Sequence, residues 1–473
     1  MKKRGILLAG LLGLATLGFA QEKPYNIVWY TIGGPQKDTA MVFEELSKYT
    51  LAKINATVTL KQIDWGDYSD KMRVIIASGE PYDICFTCSW ANDYIQNATK
   101  GAFLPLDSLL KTSGPGILTA LNPSFLKGIK VKGQIYAIPT NKELGWAGVW
   151  RFNKKYLDQY KLDITKVKSL ESLEPLLKVM KAKEPGFPPL SGDKSFKVPV
   201  PELNYVIDDG VPFAVYFDTK DYKVVNPFQT PEMLKMLKTM SRYYQAGYIR
   251  KDVATLDSGN DMQTGKWFVD KADSQPYADL LWTRSLGYEV VSTPIYTPYV
   301  DNSSTQGSMM AISVTSKNPK KVMEFLNLLN TDPQTRTIVG FGVEGVHYTR
   351  VSPTVIKFTD RHSSYDMPNF SLGNLFVLPT FPDEPADKWE GFKKFNAATK
   401  EGPLLGLQID IGPVKNELAA IRNVAQEFNA ALYTGSVDPD VFVPKYLAKL
   451  KASGWDKVAA EFQKQINTWR AAR

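Results

Sequence analysis

Tryptophans that stand beside polar residues are the side chains whose types and spacing suggest chemistry in this chain of 473 residues. An indole ring stacks on the apolar face of a sugar ring, while carboxylates, amides and hydroxyls pair with the sugar hydroxyl groups. A tryptophan of an apolar core more often stands among aliphatic residues. The pattern therefore favours the binding of a carbohydrate. It is carried by Asp64-Trp65, Ser89-Trp90, Glu143 with Trp146, Lys266-Trp267, and Asp279 with Trp282.

The sequence contains few candidates for catalytic residues. Hydrolysis of a glycoside needs two carboxylates across a cleft, for which Glu143 is a candidate, whereas adjacent Asp208 and Asp209 are more typical of a solvated turn. The motifs G-x-S-x-G, H-E-x-x-H and the glycine-rich phosphate loop do not occur. His347 and His362 are the only histidines. The sequence therefore predicts no metal site, no cofactor and no catalytic residue.

Glu344 and His347 lie three residues apart on a loop that contains glycine. Together they could face a ligand hydroxyl group. The alternative is a histidine whose hydrogen bonds are satisfied within the loop.

The two cysteines, Cys85 and Cys88, fall within or at the end of an apolar run typical of a strand. Three residues of extended chain span about 10 Å, whereas the Cα atoms of a disulfide are at most about 7 Å apart. The spacing favours two small buried side chains over a local disulfide, which would require a turn at Phe86-Thr87. Redox chemistry of the thioredoxin type is not expected.

Strand-like and helical runs alternate along the first 90 residues. Strands are predicted at 25–31, 57–63 and 82–88, and helices at 38–53 and 69–78. This alternation predicts βαβ units and a mainly parallel sheet, in which a ligand binds beyond the carboxyl ends of the strands. Those ends carry Gly33-Gly34, Asp64-Trp65 and Ser89-Trp90.

The first twenty residues have the layout of a secretory signal: Lys2, Lys3 and Arg4, an apolar run, and then small residues that end at Ala20. We expect cleavage after Ala20. Without the three basic residues the formal charge falls from +8 to +5, and no nucleic-acid-binding motif is present. Helical periodicity marks the C-terminal region, at 414–433, 441–450 and 455–469.

Four motifs in order carry a family resemblance: Tyr68-Ser69-Asp70-Lys71-Met72, Ser78-Gly79-Glu80-Pro81-Tyr82-Asp83-Ile84, Gly101-Ala102-Phe103-Leu104-Pro105-Leu106-Asp107 and Gly133-Gln134-Ile135-Tyr136-Ala137-Ile138-Pro139. They resemble the family-1 extracellular solute-binding proteins of ABC importers, the group that includes maltose-binding protein. Segments from Ala311 to Asp332 extend the resemblance. Gly342 to Tyr348, Leu405 to Leu407 and Gln463 to Trp469 are similar to a subgroup with an extra, uncharacterised C-terminal domain.

The resemblance implies an α/β fold of two lobes, the type II periplasmic-binding-protein fold, with a helical C-terminal extension. We expect residues 21–140 plus 306–350 in the N-terminal lobe and 141–305 plus 351–473 in the C-terminal lobe. It also implies a monomer that captures a small solute and delivers it to the transmembrane subunits of an ABC permease. Many relatives carry a lipid-modified cysteine at the first mature position. Gln21 stands there, so we expect a free periplasmic protein without a lipid anchor.

The predicted ligand is an oligosaccharide, and a peptide-like solute remains open. The predicted ligand-binding residues are Gly34, Asp64, Trp65, Ser89, Trp90, Glu143, Trp146, Trp282, Gln306 and Glu344. Two alternatives are a secreted carbohydrate-active hydrolase that uses Glu143 and a structural protein of the cell envelope.

Overall fold

The computed structural model describes residues 23–259 and 261–472. The predicted signal segment, its cleavage site and Gln21 lie outside these residues. Within the described ranges no helix has the length and apolar character needed to cross a membrane.

Fourteen strands are present in the described residues. They are β1 Tyr25–Ile32, β2 Ala56–Ile63, β3 Ile84–Thr87, β4 Ala137–Pro139, β5 Gly148–Asn153, β6 Leu203–Tyr205, β7 Ala214–Tyr216, β8 Val269–Asp273, β9 Val290–Pro294, β10 Tyr299–Val300, β11 Met309–Ile312, β12 Tyr348–Ser352, β13 Val355–Phe358 and β14 Lys400–Glu401.

The same residues form eighteen α-helices. They are α1 Thr39–Ile54, α2 Tyr68–Ser78, α3 Tyr94–Thr99, α4 Asp107–Thr112, α5 Pro115–Ala120, α6 Pro123–Gly128, α7 Lys154–Tyr160, α8 Glu174–Lys183, α9 Pro231–Gln245, α10 Asp261–Thr264, α11 Ala278–Leu286, α12 Asn302–Thr305, α13 Pro319–Thr331, α14 Pro333–Phe341, α15 Lys388–Ala398, α16 Lys415–Tyr433, α17 Pro439–Ala452 and α18 Trp455–Ala471.

The first lobe is built on a five-stranded sheet in the order β2-β1-β3-β11-β4. β1 pairs with β2 and β3 in parallel, as the βαβ pattern predicts, and β11 enters antiparallel between β3 and β4. Trp29 of β1 is completely buried against Phe43 and Phe325. Cys85 and Cys88 are both free and buried, and burial raises the pKa of each thiol to about 12.

The second lobe has a smaller, antiparallel sheet in the order β8-β5-β9. Its apolar core is continuous with the C-terminal helices. The ring of Phe213 stacks on that of Trp455, with 5.3 Å between the ring centroids, and it also contacts the ring of Phe462. The helical extension is therefore part of this lobe's core. The resemblance correctly predicted a two-lobed fold with a C-terminal helical region.

Several segments connect the lobes. The backbones of Trp146 and Tyr299 exchange two hydrogen bonds, and β10 pairs with β14. Beyond residue 350 the chain returns to the first lobe, where Tyr365, Met367 and Leu372 are buried in its core. Near these crossings Phe370 and the α11 residues Leu280 and Leu281 line a common cavity.

Candidate functional site

The carboxyl edge of the first sheet carries three exposed aromatic rings. Trp65 follows β2 and is 45% exposed, and Trp90 follows β3 and is 53% exposed. Phe370, 38% exposed, lies beside them. The ring centroids of Trp65 and Trp90 are 6.5 Å apart at an interplanar angle of 20°, and those of Trp65 and Phe370 are 6.1 Å apart at 21°. We name Trp65, Trp90 and Phe370 the aromatic ledge.

Hydrogen bonds hold the ledge in place. The indole N–H of Trp90 donates to the carbonyl oxygen of Gly307 at 2.8 Å, and the backbone N–H of Trp65 donates to Oδ1 of Asp64 at 2.7 Å. The backbone N–H of Ser89 donates to the carbonyl oxygen of Gln306. The ledge is thus held by hydrogen bonds, while each of its three side chains stays partly exposed.

Phe370 is positioned by a buried arginine. Nη1 and Nη2 of Arg336 donate to the side-chain and backbone oxygens of Asn369, each at 2.9 Å. Burial lowers the pKa of this guanidinium to about 9. Two buried hydrogen bonds therefore fix the residue that precedes the third ring of the ledge.

A second anchor, formed by Asp38, Arg361 and His347, joins the start of α1 to the chain on either side of β12 and β13. Asp38 accepts hydrogen bonds from Nε of Arg361 at 2.7 Å and from Nε2 of His347 at 3.1 Å. The Arg361 guanidinium, with a smaller contribution from His347, lowers the pKa of Asp38 to about 2. Because Nδ1 of His347 accepts from the backbone N–H of Val343, this histidine is satisfied within the fold.

The opposite wall is formed by the segments that connect the lobes and by the second lobe. It contains a cavity of about 230 Å³, which we name the groove. Its lining residues are Lys142, Glu143, Leu144, Gly145, Trp146, Ala147, Asp273, Ser274, Gln275, Ala278, Leu281, Trp282, Ser303, Ser304 and Gly307. Gly307, which anchors Trp90, connects the ledge with the groove.

The two tryptophans of this wall have polar partners. Nε1 of Trp146, which is 36% exposed, donates to Oδ1 of Asp301 at 3.1 Å. The guanidinium carbon of Arg151 lies 4.7 Å from the ring centroid of Trp282. Arg151 also forms a two-pronged ion pair with Asp270 at 2.9 and 2.6 Å. The Trp282 ring therefore rests on a largely buried charge pair.

Two further cavities adjoin the ledge. One of about 300 Å³, which we name the annex, shares Glu143, Gln275 and Leu281 with the groove and is also lined by Phe370. The other, of about 450 Å³, lies beside Trp90 and is mainly polar. Its lining residues are Ser69, Arg73, Ser89, Trp90, Ala91, Asn92, Asp93, Gln96 and Asn97.

Of the ten predicted site residues, Trp65 and Trp90 form part of the ledge, three line the groove, and Gly34, Asp64 and Ser89 adjoin the ledge. Asp64 and Gly34 are neighbours, since a Cβ added to Gly34 would lie 3.9 Å from Oδ2 of Asp64. Glu143 is half-buried and forms an ion pair with Lys142. The others of this group are Trp65, Ser89, Trp90, Trp146 and Trp282.

The other two lie elsewhere. The side chain of Gln306 is buried and donates to the carbonyl oxygen of Gly128 at 2.9 Å, so it does not face the groove. Glu344 forms an exposed ion pair with Arg350 and lines none of the three cavities. Trp267, one of the tryptophans with a polar neighbour in sequence, is completely buried in the second lobe.

The site is suited to binding a ligand that has both apolar faces and hydroxyl groups. The ledge supplies exposed rings, and the groove, connected to it through Gly307, supplies carboxylate, amide and hydroxyl groups. Among residues 23–259 and 261–472, no three His, Cys, Asp or Glu side chains are grouped in a way that could hold a metal ion.

Comparison with known proteins agrees with this arrangement. Residues 39–336 match the family described as bacterial extracellular solute-binding protein, and residues 403–471 match a domain of unknown function (DUF3502). A carbohydrate ABC transporter substrate-binding protein of Streptococcus pneumoniae is 36% identical over 94% of this chain and 91% of its own length. Lipoprotein LipO of Bacillus subtilis is 27% identical over 47% of this chain and 43% of its own.

Solved structures extend the comparison. The N-glycan transport solute binding protein (NgtS) of Streptococcus pneumoniae has a TM-score of 0.87 at 36% identity, covering 94% of this chain and 99% of that one. In its complex with Man5GlcNAc the TM-score is 0.72 at 35% identity, covering 95% and 99%. Since the family model spans more than half of the chain, this protein belongs to the family of bacterial extracellular solute-binding proteins, as the sequence motifs predicted.

Proposed function

We propose that this solute-binding protein captures an oligosaccharide between its lobes and delivers it to the permease of an ABC importer. The observation that carries the proposal is the aromatic ledge, whose three exposed rings are connected through Gly307 to a groove that contains carboxylate, amide and hydroxyl groups. A contiguous patch of exposed apolar side chains, unlike single scattered ones, marks an interaction surface or a ligand-binding groove. The Streptococcus pneumoniae relative, named for N-glycan transport and crystallised with mannose-containing glycans, supports this ligand class.

In this proposal the sugar rings lie on Trp65 and Trp90, and the groove pairs with their hydroxyl groups. Asp64, Ser89 and Glu143 supply polar atoms, while Trp146 and Trp282 cover the ligand from the other wall. Gly34 lies next to Asp64. Phe370 joins the set, whereas Gln306 and Glu344 leave it because their side chains are engaged away from the groove.

Binding would favour a closed arrangement of the lobes, because a ligand that contacts both walls stabilises closure. The TM-scores of one relative support this step. Its structure without a named glycan gives 0.87, and its complexes with Man1GlcNAc and Man5GlcNAc give 0.74 and 0.72. Sequence identity is nearly constant across the three, and this chain's structure matches the structure without a named glycan more closely than it matches the two complexes.

The proposal also holds that the protein is a non-catalytic monomer, exported through cleavage after Ala20 and free in the periplasm. Glu143 has Lys142 as its ion partner and serves to bind rather than to transfer a proton. The alternative of a carbohydrate-active hydrolase would require turnover that depends on Glu143. Incubation with the ligand should leave it chemically intact.

Calorimetric titration with a panel of oligosaccharides tests the proposal. We expect stoichiometric binding of a mannose-containing oligosaccharide, with affinity reduced about 30-fold or more by joint Trp65→Ala and Trp90→Ala changes, since each ring contributes about 1 kcal/mol. Phe442→Ala, a matched loss of a half-buried ring on α17, should leave affinity unchanged. Absence of binding across the panel, or release of new reducing ends, would contradict the proposal.

A further inference from the structure

The basic side chains along the cleft are all paired with carboxylates. This holds for each of the three basic residues that line the groove, the annex or the polar cavity beside Trp90. Arg151, next to the Trp282 ring, is likewise paired with Asp270. The walls therefore offer an anionic ligand no cation without a counterion among the described residues. The three pairs of the cavity walls are Lys142 with Glu143, Lys388 with Glu384 at 2.7 Å, and Arg73 with Asp70 at 2.7 Å.

Asp273 is a carboxylate of the groove that has no such partner. It stands at the end of β8, is exposed and lines the groove. Within the described part of the chain it forms no ion pair. Lys271, two residues earlier on the same strand, donates instead from Nζ to the carbonyl oxygen of Lys197 at 3.0 Å. The negative charge of Asp273 is therefore presented to whatever occupies the groove.

Two further carboxylates beside the ledge are in the same condition. Asp64 is exposed, and its Oδ1 accepts from the backbone N–H of Trp65 at 2.7 Å. Asp93, which lines the polar cavity, is also exposed and accepts from the backbone N–H of Gln96 at 3.0 Å. Neither is joined to a basic side chain within the described ranges. The unpaired charge along the cleft is thus negative.

The charge of the whole chain has the opposite sign. The sequence carries a formal charge of +8, so the molecule as a whole does not repel anions. Selection by charge must arise at contact distance, because salt screens exposed charges beyond about 8 Å. There, a neutral sugar unit can donate hydroxyl hydrogens to a carboxylate. A carboxylated unit in the same position would meet a like charge with no neighbouring cation to compensate it.

We propose that the cleft selects neutral over anionic oligosaccharides and that Asp273 is the principal residue of this selection. The inference rests on the proposed function, because it concerns the solute bound in the same cleft. Asp273 accepts hydrogen bonds from the hydroxyl groups of a neutral unit and repels a uronic acid or another carboxylated unit. Asp64 acts in the same sense at the ledge. Because both carboxylates are exposed, added salt weakens the repulsion.

The test compares mannotriose with the derivative in which its primary hydroxyl groups are oxidised to carboxylates, by calorimetric titration of the full chain. If mannotriose does not bind, the panel oligosaccharide that does bind and its oxidised derivative take their place. We expect the wild type to bind the neutral sugar at least about fivefold more tightly in dilute buffer. The preference should shrink in about 0.5 M sodium chloride. Loss of the hydroxyl groups also costs affinity, but that cost depends neither on salt nor on the charge at position 273.

Two variants separate charge from shape. Asp273→Asn removes the charge and Asp273→Lys reverses it, so the preference in dilute buffer should fall about twofold or more at each step. Asp456→Lys is the matched control, because Asp456 is an exposed carboxylate on α18 that lines none of the three cavities. It should keep the wild-type preference, and melting temperatures verify that all variants are folded.

The outcomes distinguish this inference from the proposed function. Equal or tighter binding of the oxidised sugar by the wild type would overturn the selection by charge alone. A preference that is the same in the wild type and both Asp273 variants, or that does not respond to salt, would do so too. Failure of the wild type to bind mannotriose or any other oligosaccharide of the panel would overturn the proposed function and the selection with it.

Discussion

The two walls of the cleft use tryptophan in different ways. On the first lobe, Trp65 and Trp90 are exposed beside Phe370, directly after strands of a buried sheet. On the other wall, Trp146 is bonded to Asp301, and Trp282 lies over Arg151, which is paired with Asp270. The difference indicates that the ledge offers a preformed stacking surface, whereas the second wall depends on charged side chains beneath it.

The largest expected effect concerns the charge pair below Trp282. Arg151→Met would leave Asp270 buried without its partner, so we expect the free energy of unfolding at pH 7 to fall by about 3–5 kcal/mol. The ledge, which does not contact this pair, should be preserved. Denaturant unfolding measures the loss, and adding Asp270→Leu to the variant should recover much of it because no unpaired charge then remains.

The pH dependence of this loss of stability tests whether the unpaired carboxylate of Asp270 causes it. Burial already raises the pKa of Asp270, although Arg151 opposes the shift. Removal of Arg151 should raise this pKa further, so the folded variant would hold a proton that the unfolded chain releases above about pH 4. Stability of the variant should therefore recover as the pH falls from 7 towards 4. A loss of the same size at both pH values would contradict an unpaired carboxylate as its cause.

A smaller effect compares the walls directly in binding. Trp65→Ala should weaken oligosaccharide affinity about 5- to 10-fold because it removes the central ring of the ledge. Trp282→Ala should weaken it about threefold, since that ring is half-buried over Arg151. Isothermal calorimetry of both variants with one ligand measures the ratio. If Trp282→Ala caused the larger loss, the ledge would not be the principal stacking surface.

A further prediction concerns the second anchor, formed by Asp38, Arg361 and His347. The lowered pKa of Asp38, due first to Arg361, means that ionised Asp38 stabilises the fold above about pH 4 and that this contribution is lost as the pH falls towards 2. Asp38→Asn should remove this part of the acid sensitivity. Thermal unfolding between pH 2 and pH 5 tests it, with the exposed, remote Asp456→Asn on α18 as control. An unchanged acid profile in Asp38→Asn would assign the sensitivity to other carboxylates.

Much of the first wall was predictable from the sequence because the relevant signals are local. Strand and helix alternation over 25–88 placed Asp64-Trp65 and Ser89-Trp90 at one edge of a sheet, and the structure brings the two indoles together. Helix α9 likewise begins at a local signal, because Thr230 caps it and Pro231 occupies its first position. Local periodicity and capping decide such features.

Other features depend on tertiary packing that no local pattern encodes. Phe370 reaches the ledge only because the chain returns to the first lobe and Arg336 holds Asn369. Trp267 stands beside a lysine in sequence, yet it is completely buried, with its indole N–H bonded to Tyr288 at 2.5 Å. The domain bounds at 140/141, 305/306 and 350/351 stay a prediction, and the burial of Tyr365 and Met367 in the first core bears on the last of them.

A crystal structure of the complex with a mannose-containing oligosaccharide tests the central claim most directly. The account predicts that sugar rings lie about 4 Å from the faces of Trp65 and Trp90, with Glu143 and the groove serines bonded to hydroxyl groups and the lobes closed. A glycan bound elsewhere, for example in the polar recess lined by Arg73 and Asn97 with the ledge left bare, would contradict it.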